Sequence, residues 1–272
     1  MARNEPKKNS SGGSPVRKQE RKKIRRGVFA LLALLLFLAG AAALFFWLDR
    51  QLFDRNARFT LREVRIVSTG YWGRSKETRA DLIRFLKLTP GKDNLFELDL
   101  RALRKQAAAV PNIAEASVER LLPDTLIIHI EERVPRAFLG YSRSGLVIDA
   151  NGMVMAADQC FGVHPKLPVI VGLRGDVQVG RQLAKLAPAL DLLMQIQRSM
   201  PEFQVLLLSV SQPDRIFASI DYRGNRRYHV TLPSPSPPEL LDVLRSAVEE
   251  AVRNNDKRNN VNLLFDGYVV LN

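Results

Sequence analysis

The residues best equipped for chemistry are dispersed along this chain. His129, His164 and His229 fall in separate candidate elements. Cys160 and His164 are close enough to be two metal ligands, but two are too few, and no acidic companion has suitable spacing. Asp149-x-Asn151-Gly152 has the opening of a calcium loop. Its glycine comes too early, however, and the residue twelve along is Cys160 rather than a glutamate, so the motif reads as a hairpin turn. Glu131 and Glu132 are adjacent on a predicted strand, point to opposite faces, and cannot work as a carboxylate pair. The stretch from Gly172 to Gly180 has glycines but no Lys followed by Ser or Thr, as a phosphate loop requires. Cys160 is the single cysteine, which rules out an internal disulfide. The sequence therefore offers no catalytic set, metal site or cofactor site. It points to a non-enzymatic interaction module without a small-molecule substrate.

The elements that would position such a module begin with an uncharged apolar run, Gly27 to Leu48. At about 1.5 Å per helical residue this run spans roughly 30 Å, the thickness of a bilayer's hydrocarbon core. Arg17, Lys18, Arg21, Lys22, Lys23, Arg25 and Arg26 precede it, whereas Arg50, Arg55 and Arg58 beyond it alternate with Asp49 and Asp54. Lys and Arg favour the cytoplasmic side, so the expected topology is an N-terminus inside and a large domain outside. A cleaved signal peptide is the rival, with small residues at Ala39-Gly40-Ala41. Leu44-Phe45-Phe46-Trp47-Leu48 carries the apolar run past that point and favours a retained anchor in the bilayer. More than half of the formal charge of +13 precedes Gly27, and the rest forms no dense basic stripe with interleaved aromatics, which argues against nucleic acid.

Residues 1–26 are too poor in apolar groups to bury a core and read as a disordered basic cytoplasmic tail. Residues 27–48 are the expected transmembrane helix and 49–58 a juxtamembrane stalk. From 59 to 133 the pattern predicts β-α-α-β-β. A strand covers Phe59 to Val67, and a helix covers Lys76 to Leu86 with Leu82, Ile83, Phe85 and Leu86 on one face. A second helix follows Asp99 as N-cap. Two strands then place Ala114, Ala116 and Val118, and Leu126, Ile128 and Ile130, inward. The expected core is Val64, Ile66, Leu82, Phe85, Leu103, Val118, Leu126, Ile128 and Ile130. From 134 to 272 the pattern predicts a mostly antiparallel β domain with flanking helices, making the whole α+β. Its elements include a hairpin about Asp149 to Gly152 and a helix through Leu183, Leu186, Leu190 and Leu193 with Pro188 in its first turn. A later helix opens on a capping box at Ser236-Pro237-Pro238-Glu239, and a closing strand runs from Val261 to Leu271.

The β-α-α-β-β segment resembles a polypeptide-transport-associated (POTRA) domain. The signals are Phe59-x-Leu61-x-x-Val64-x-Ile66, Asn94-Leu95-Phe96-x-Leu98-Asp99, and the run Arg120-x-x-Pro123-Asp124-Thr125-Leu126-x-Ile128-x-Ile130-x-Glu132-Arg133-Val134-Pro135-x-Ala137. With Val147-Ile148-Asp149-x-x-Gly152-x-Val154 and Leu167-Pro168-x-Ile170-x-Gly172 following, the succession is similar to the bacterial cell-division family FtsQ/DivIB. Ser68-Thr69-Gly70-Tyr71 departs from the family's usual Gly-Asn turn. The resemblance implies a scaffold of the division septum in the cytoplasmic membrane, partnered by FtsB-like and FtsL-like single-pass coiled-coil proteins.

A scaffold can bind by strand addition, in which a sheet edge offers unpaired N–H and C=O groups to a partner's strand. The closing strand is the candidate, with Phe265, Gly267, Tyr268 and Val269 as partner-binding residues. The alternative function is envelope or outer-membrane protein assembly or secretion, because POTRA domains also precede barrels. No series of amphipathic strands long enough for a barrel follows here. An anchored cell-wall enzyme would need a convergent acid, His or Ser set, which the sequence lacks.

Overall fold

The computed structural model describes residues 31–47, 57–140, 145–265 and 268–271. The chain divides into two compact units, Met1–Phe59 and Thr60–Asn272. In the first unit, residues 31–47 are helical and exposed, with Leu36, Phe37, Phe45 and Phe46 among the most exposed large apolar side chains. Among the described residues no helix is long and apolar enough to cross a membrane. The basic tail, both ends of the apolar run and most of the stalk lie outside the described residues. A short 3-10 turn, Ala57–Phe59, closes this unit.

The second unit opens with a three-stranded sheet of order β1-β3-β2. Strand β1 (Glu63–Val67) runs parallel to β3 (Thr125–Glu132), and β2 (Ile113–Leu121) runs antiparallel to it. Helices α1 (Tyr71–Arg74), α2 (Lys76–Phe85) and α3 (Leu100–Ala108) lie between β1 and β2 in the chain. Ser75 caps α2 reciprocally with Thr78. Asp99 caps α3, its carboxylate accepting from the N–H groups of Arg101 and Ala102 at 2.9 and 3.1 Å, as the sequence predicts. Alternation does the rest. Leu126, Ile128 and Ile130 point to the helices and are buried, while His129 and Glu131 face solvent.

Several expectations need correction here. The first strand begins at Glu63 rather than Phe59, with Leu61 fully buried just before it. Phe85 is 55 % exposed rather than in the core. It is the last residue of α2, and the chain then turns through Lys87 at φ 57°, so that Leu86 and Leu88 take the buried positions. Ala114 is exposed because the β2–β3 register shifts between Ile113 and Glu115, and Ile113 is buried in its place.

A nine-stranded mixed sheet follows, ordered β12-β11-β10-β9-β8-β7-β4-β5-β6. Its strands are β4 (Ala137–Leu139), β5 (Leu146–Ile148), β6 (Val154–Ala156), β7 (Val169–Val171), β8 (Phe203–Ser209), β9 (Arg215–Tyr222), β10 (Arg226–Pro233), β11 (Asn260–Phe265) and β12 (Tyr268–Leu271). Three pairs run parallel, β4 with β7, β7 with β8 and β10 with β11. The β5–β6 hairpin lies in the first crossover, and α4 (Ala187–Ser199) and α5 (Glu239–Arg253) supply the other two. Leu190, Leu193 and Ile196 of α4, with Leu241, Leu244 and Val248 of α5, bury against Val205, Ile220, Val230 and Val261 of the sheet. Pro188 lies in the first turn of α4, where its missing N–H costs nothing. The capping box before α5 does not form: Ser236 Oγ donates to the Pro233 carbonyl at 2.5 Å, and Pro238 occupies the N-cap position.

The closing strand also needs correction. Instead of one strand from Val261 to Leu271, the chain forms a hairpin, β11 and β12, in which Val261 pairs with Leu271, Asn262 with Val270 and Phe265 with Tyr268. The reversal falls between Phe265 and Tyr268, where the sequence has Asp-Gly, a dipeptide that suits two-residue hairpin loops.

Candidate partner-binding edge

Strand addition needs a sheet edge whose backbone groups are free. The three-stranded sheet ends on β1 and β2, and the nine-stranded sheet, which carries the predicted residues, ends on β6 and β12. At one end, β6 has three residues and is already covered. The Gly180 N–H donates to the Val154 carbonyl at 2.8 Å, the Val154 N–H donates to the Arg181 carbonyl at 3.0 Å, and Met153 bridges to Gln182. At the other end, β12 pairs with β11 on one side and has no strand on the other among the described residues. The predicted site residues divide around this hairpin. Tyr268 and Val269 lie on the terminal strand β12, Phe265 ends β11, and Gly267 lies outside the described residues.

The strands behind this edge are held from within. Val261 and Leu263 of β11 are buried against the helix layer, which fixes the strand's facing. Before β11, the guanidinium of Arg258 donates to both carboxylate oxygens of Asp256 at 2.9–3.1 Å from Nε and 2.6 Å from Nη2. These bonds hold the Asp256 carboxyl down at about 2. The Arg226 Nη2 donates to the Arg258 carbonyl at 2.8 Å, tying the start of β10 to the same loop. The Arg226 guanidinium stacks 5.0 Å from the Tyr228 ring, which is completely buried, and burial pushes the phenol's pKa up. Helix α5 is clamped to the end of α4 by Arg245, whose Nε donates to Glu202 at 3.0 Å and whose Nη2 donates to the Ser199 carbonyl at 2.6 Å.

A second constellation, missed by the sequence reading, joins the two sheets. Glu132, at the end of β3, accepts from Ser68 Oγ at 2.5 Å, from the Tyr71 N–H at 2.7 Å and from the Trp72 N–H at 2.9 Å. Gly70 makes room for it: a Cβ there would sit 2.3 Å from Glu132 Oε2. Trp72 Nε1 donates to Asn112 Oδ1 at 3.0 Å, and the Asn112 amide donates onward to the Gln159 carbonyl. Next in sequence, Arg133 reaches Asp149 Oδ2 at 2.8 Å, while Asp149 Oδ1 accepts from the N–H groups of Asn151 and Met153. The hairpin turn is thus also an ion-pair partner. Single-sequence spacing carries no signal for contacts some sixty residues apart, although Ser68 and Gly70, which replace the family's usual turn, mark the place.

Comparison with known proteins agrees with this architecture. The FtsQ-type POTRA domain family matches residues 59–133. The chain is 23 % identical to the cell division protein FtsQ of Koribacter versatilis, across 94 % of this chain and 76 % of that one. It is 32 % identical to FtsQ of Caulobacter vibrioides (strain NA1000 / CB15N) over 48 % of this chain and 41 % of the relative. The cell division protein DivIB of Clostridium tetani matches at 33 % over 24 % of each. The chain is similar to the FtsQ/DivIB cell division proteins, and its residues 59–133 form an FtsQ-type POTRA domain. These relatives support a division-related role, and they are named as cell division proteins rather than as enzymes.

Proposed function

We propose that this protein is a non-enzymatic scaffold of the division septum that captures a partner by strand addition on β12. The observation that carries the reading is the asymmetry of the large sheet, with β6 covered by residues 180–182 and β12 unpaired on its outer side among the described residues. An incoming strand would gain main-chain hydrogen bonds from β12, with Phe265, Gly267, Tyr268 and Val269 as the proposed partner-binding positions. Tyr combines apolar area with a polar tip, a residue type favoured at binding hot spots. FtsB-like and FtsL-like single-pass proteins are the proposed partners. The apolar run 27–48 serves as a single-pass anchor in the cytoplasmic membrane, with the basic tail inside and the POTRA and β domains outside. The exposure of every described residue of the helix at 31–47 supports contact with lipid.

Depletion of the protein tests this role. Filamentous cells without septa are expected, and rescue should require an intact β12. Envelope leakage with normal septation would instead support an assembly or secretion role.

A further inference from the structure

The POTRA unit has two ends, and one of them carries unexplained apolar exposure. At this end the chain enters the domain: the Leu61 N–H donates to the Asp93 carbonyl at 2.8 Å, the Gly91 N–H donates to the Leu61 carbonyl at 2.7 Å, and the Arg62 N–H donates to the Asp124 carbonyl at 2.8 Å. These bonds gather three features beside the entry point: the turn of the β2–β3 hairpin, the loop 86–94 and the last turn of α2. Leu121 and Leu122 in the hairpin are 46 % and 56 % exposed, and Phe85 at the end of α2 is 55 % exposed. Around them Arg62, Arg84, Lys87 and Lys92 are all exposed. The acids at this end are engaged. Asp93 accepts the Thr89 N–H at 2.6 Å, Asp124 lies 3.9 Å from Arg62, and Asp81 pairs with Arg84 at 3.1 Å. Buried neighbours such as Leu61, Leu86, Leu88 and Leu126 already fill the core, so the three exposed groups have no interior place.

We propose that this end of the POTRA domain rests on an anionic bilayer surface, with Phe85, Leu121 and Leu122 in the headgroup region and the exposed Lys87 and Lys92 among lipid phosphates, while Arg62 and Arg84 offset Asp124 and Asp81. The inference rests on the anchor reading above. Only residues 48–59 separate the helix at 31–47 from Thr60, and even fully extended they reach roughly 40 Å. The entry end must therefore stay near any membrane that holds the anchor. Aromatic and leucine side chains ringed by Lys and Arg are the composition that partitions into such an interface.

The test uses the full chain in nanodiscs containing one-third phosphatidylglycerol, with Cys160→Ser as background and single spin labels on cysteines introduced at Trp47, Phe85, Leu122 or Ala108. Ala108, exposed at the opposite end of the domain, serves as the aqueous reference. Collision rates with oxygen and with a soluble nickel complex report depth. The expected result is an oxygen-to-nickel ratio several-fold higher at 85 and 122 than at 108, falling when phosphatidylcholine replaces the anionic lipid. Ratios at 85 and 122 equal to that at 108, with 47 deep in hydrocarbon, would overturn the surface contact and leave the anchor standing. An aqueous 47 beside lipid-exposed 85 and 122 would overturn the anchor and keep the contact. Aqueous values throughout would overturn both.

Discussion

Arg133 and Asp149 meet at 2.8 Å with side chains only 16 % and 6 % exposed, joining the residue after the POTRA sheet's last strand to the first hairpin of the large sheet. A pair this buried is sensitive to the loss of one member, because the survivor keeps its charge without its partner. Arg133→Ala should destabilise the chain by on the order of 3–5 kcal/mol, and Asp149→Ala by at least as much, because it also strands the N–H groups of Asn151 and Met153. The double variant should cost less than the sum of the two. Thermal melting of the two single variants and the double variant checks this. Scattering should also report a looser arrangement of the two sheets in the single variants.

The Glu132 carboxylate supplies a second prediction. Gly70→Ala would bring a methyl group 2.3 Å from Glu132 Oε2 and force the acid off the N–H groups of Tyr71 and Trp72. Leaving these donors unsatisfied costs about 1–3 kcal/mol. Both Glu132 oxygens accept, Oε1 from Ser68 and Trp72 and Oε2 from Tyr71, so Glu132→Gln keeps one acceptor, sets its NH2 against the other donor, and should also destabilise the fold. Denaturant midpoints with unchanged slopes would support a purely local effect.

Cys160 should behave as an inert thiol. Burial first, then the nearby charges of Glu132 and Asp158, push its pKa up to about 12. The thiolate is the reactive form, so alkylation of the folded protein at pH 8 should be slow and should accelerate on unfolding. The sign for stability follows. The folded state resists ionisation, so stability from this group is intact below the unfolded thiol's pKa and falls as pH rises from there towards 12. Glu132→Gln removes one of the raising charges and should increase the labelling rate.

Ile128→Asp tests the register of the small sheet. Ile128 is completely buried and pairs with Ile66 on one side and Val118 on the other. A buried carboxylate without a partner should cost several kcal/mol, on the order of 3 or more, and abolish a cooperative melt.

Much of this architecture is legible in the sequence because its signals are local. Alternation in Thr125–Glu132, the Asp99 cap and Pro188 in a first turn each act within a few residues, and the structure has them where the pattern predicts. Phe85 misled because its position fits the helical stripe while the helix ends on it; Leu88, beyond the Lys87 turn, fills the core instead. The closing strand misled because apolar alternation continues across Asp266-Gly267, hiding a hairpin whose clearest sign was the turn dipeptide itself. Ser236 resembled a helix cap but bonds backwards to Pro233. Tyr268 and Val269 lie on the terminal strand β12. The cover on β6 was not legible, because it comes from residues 180–182, which spacing cannot connect to that strand.

The most direct test of the scaffold reading is binding of an FtsB-like extracytoplasmic segment to the full chain and to Tyr268→Ala, Tyr268→Pro and Val269→Pro, with melting temperature measured on each. Along an antiparallel strand successive N–H groups alternate sides, so one of the two proline variants removes a donor from the outer edge. The expected result is about thirty-fold weaker capture by Tyr268→Ala, equivalent to on the order of 2 kcal/mol, and loss of capture by the proline variant that removes the outer donor, both with melting temperatures close to that of the parent. The other proline variant removes a donor facing β11 and should lower the melting temperature. Undiminished binding by all three variants would contradict strand addition on β12, as would a loss of binding by Tyr268→Ala matched by an equal loss of folding.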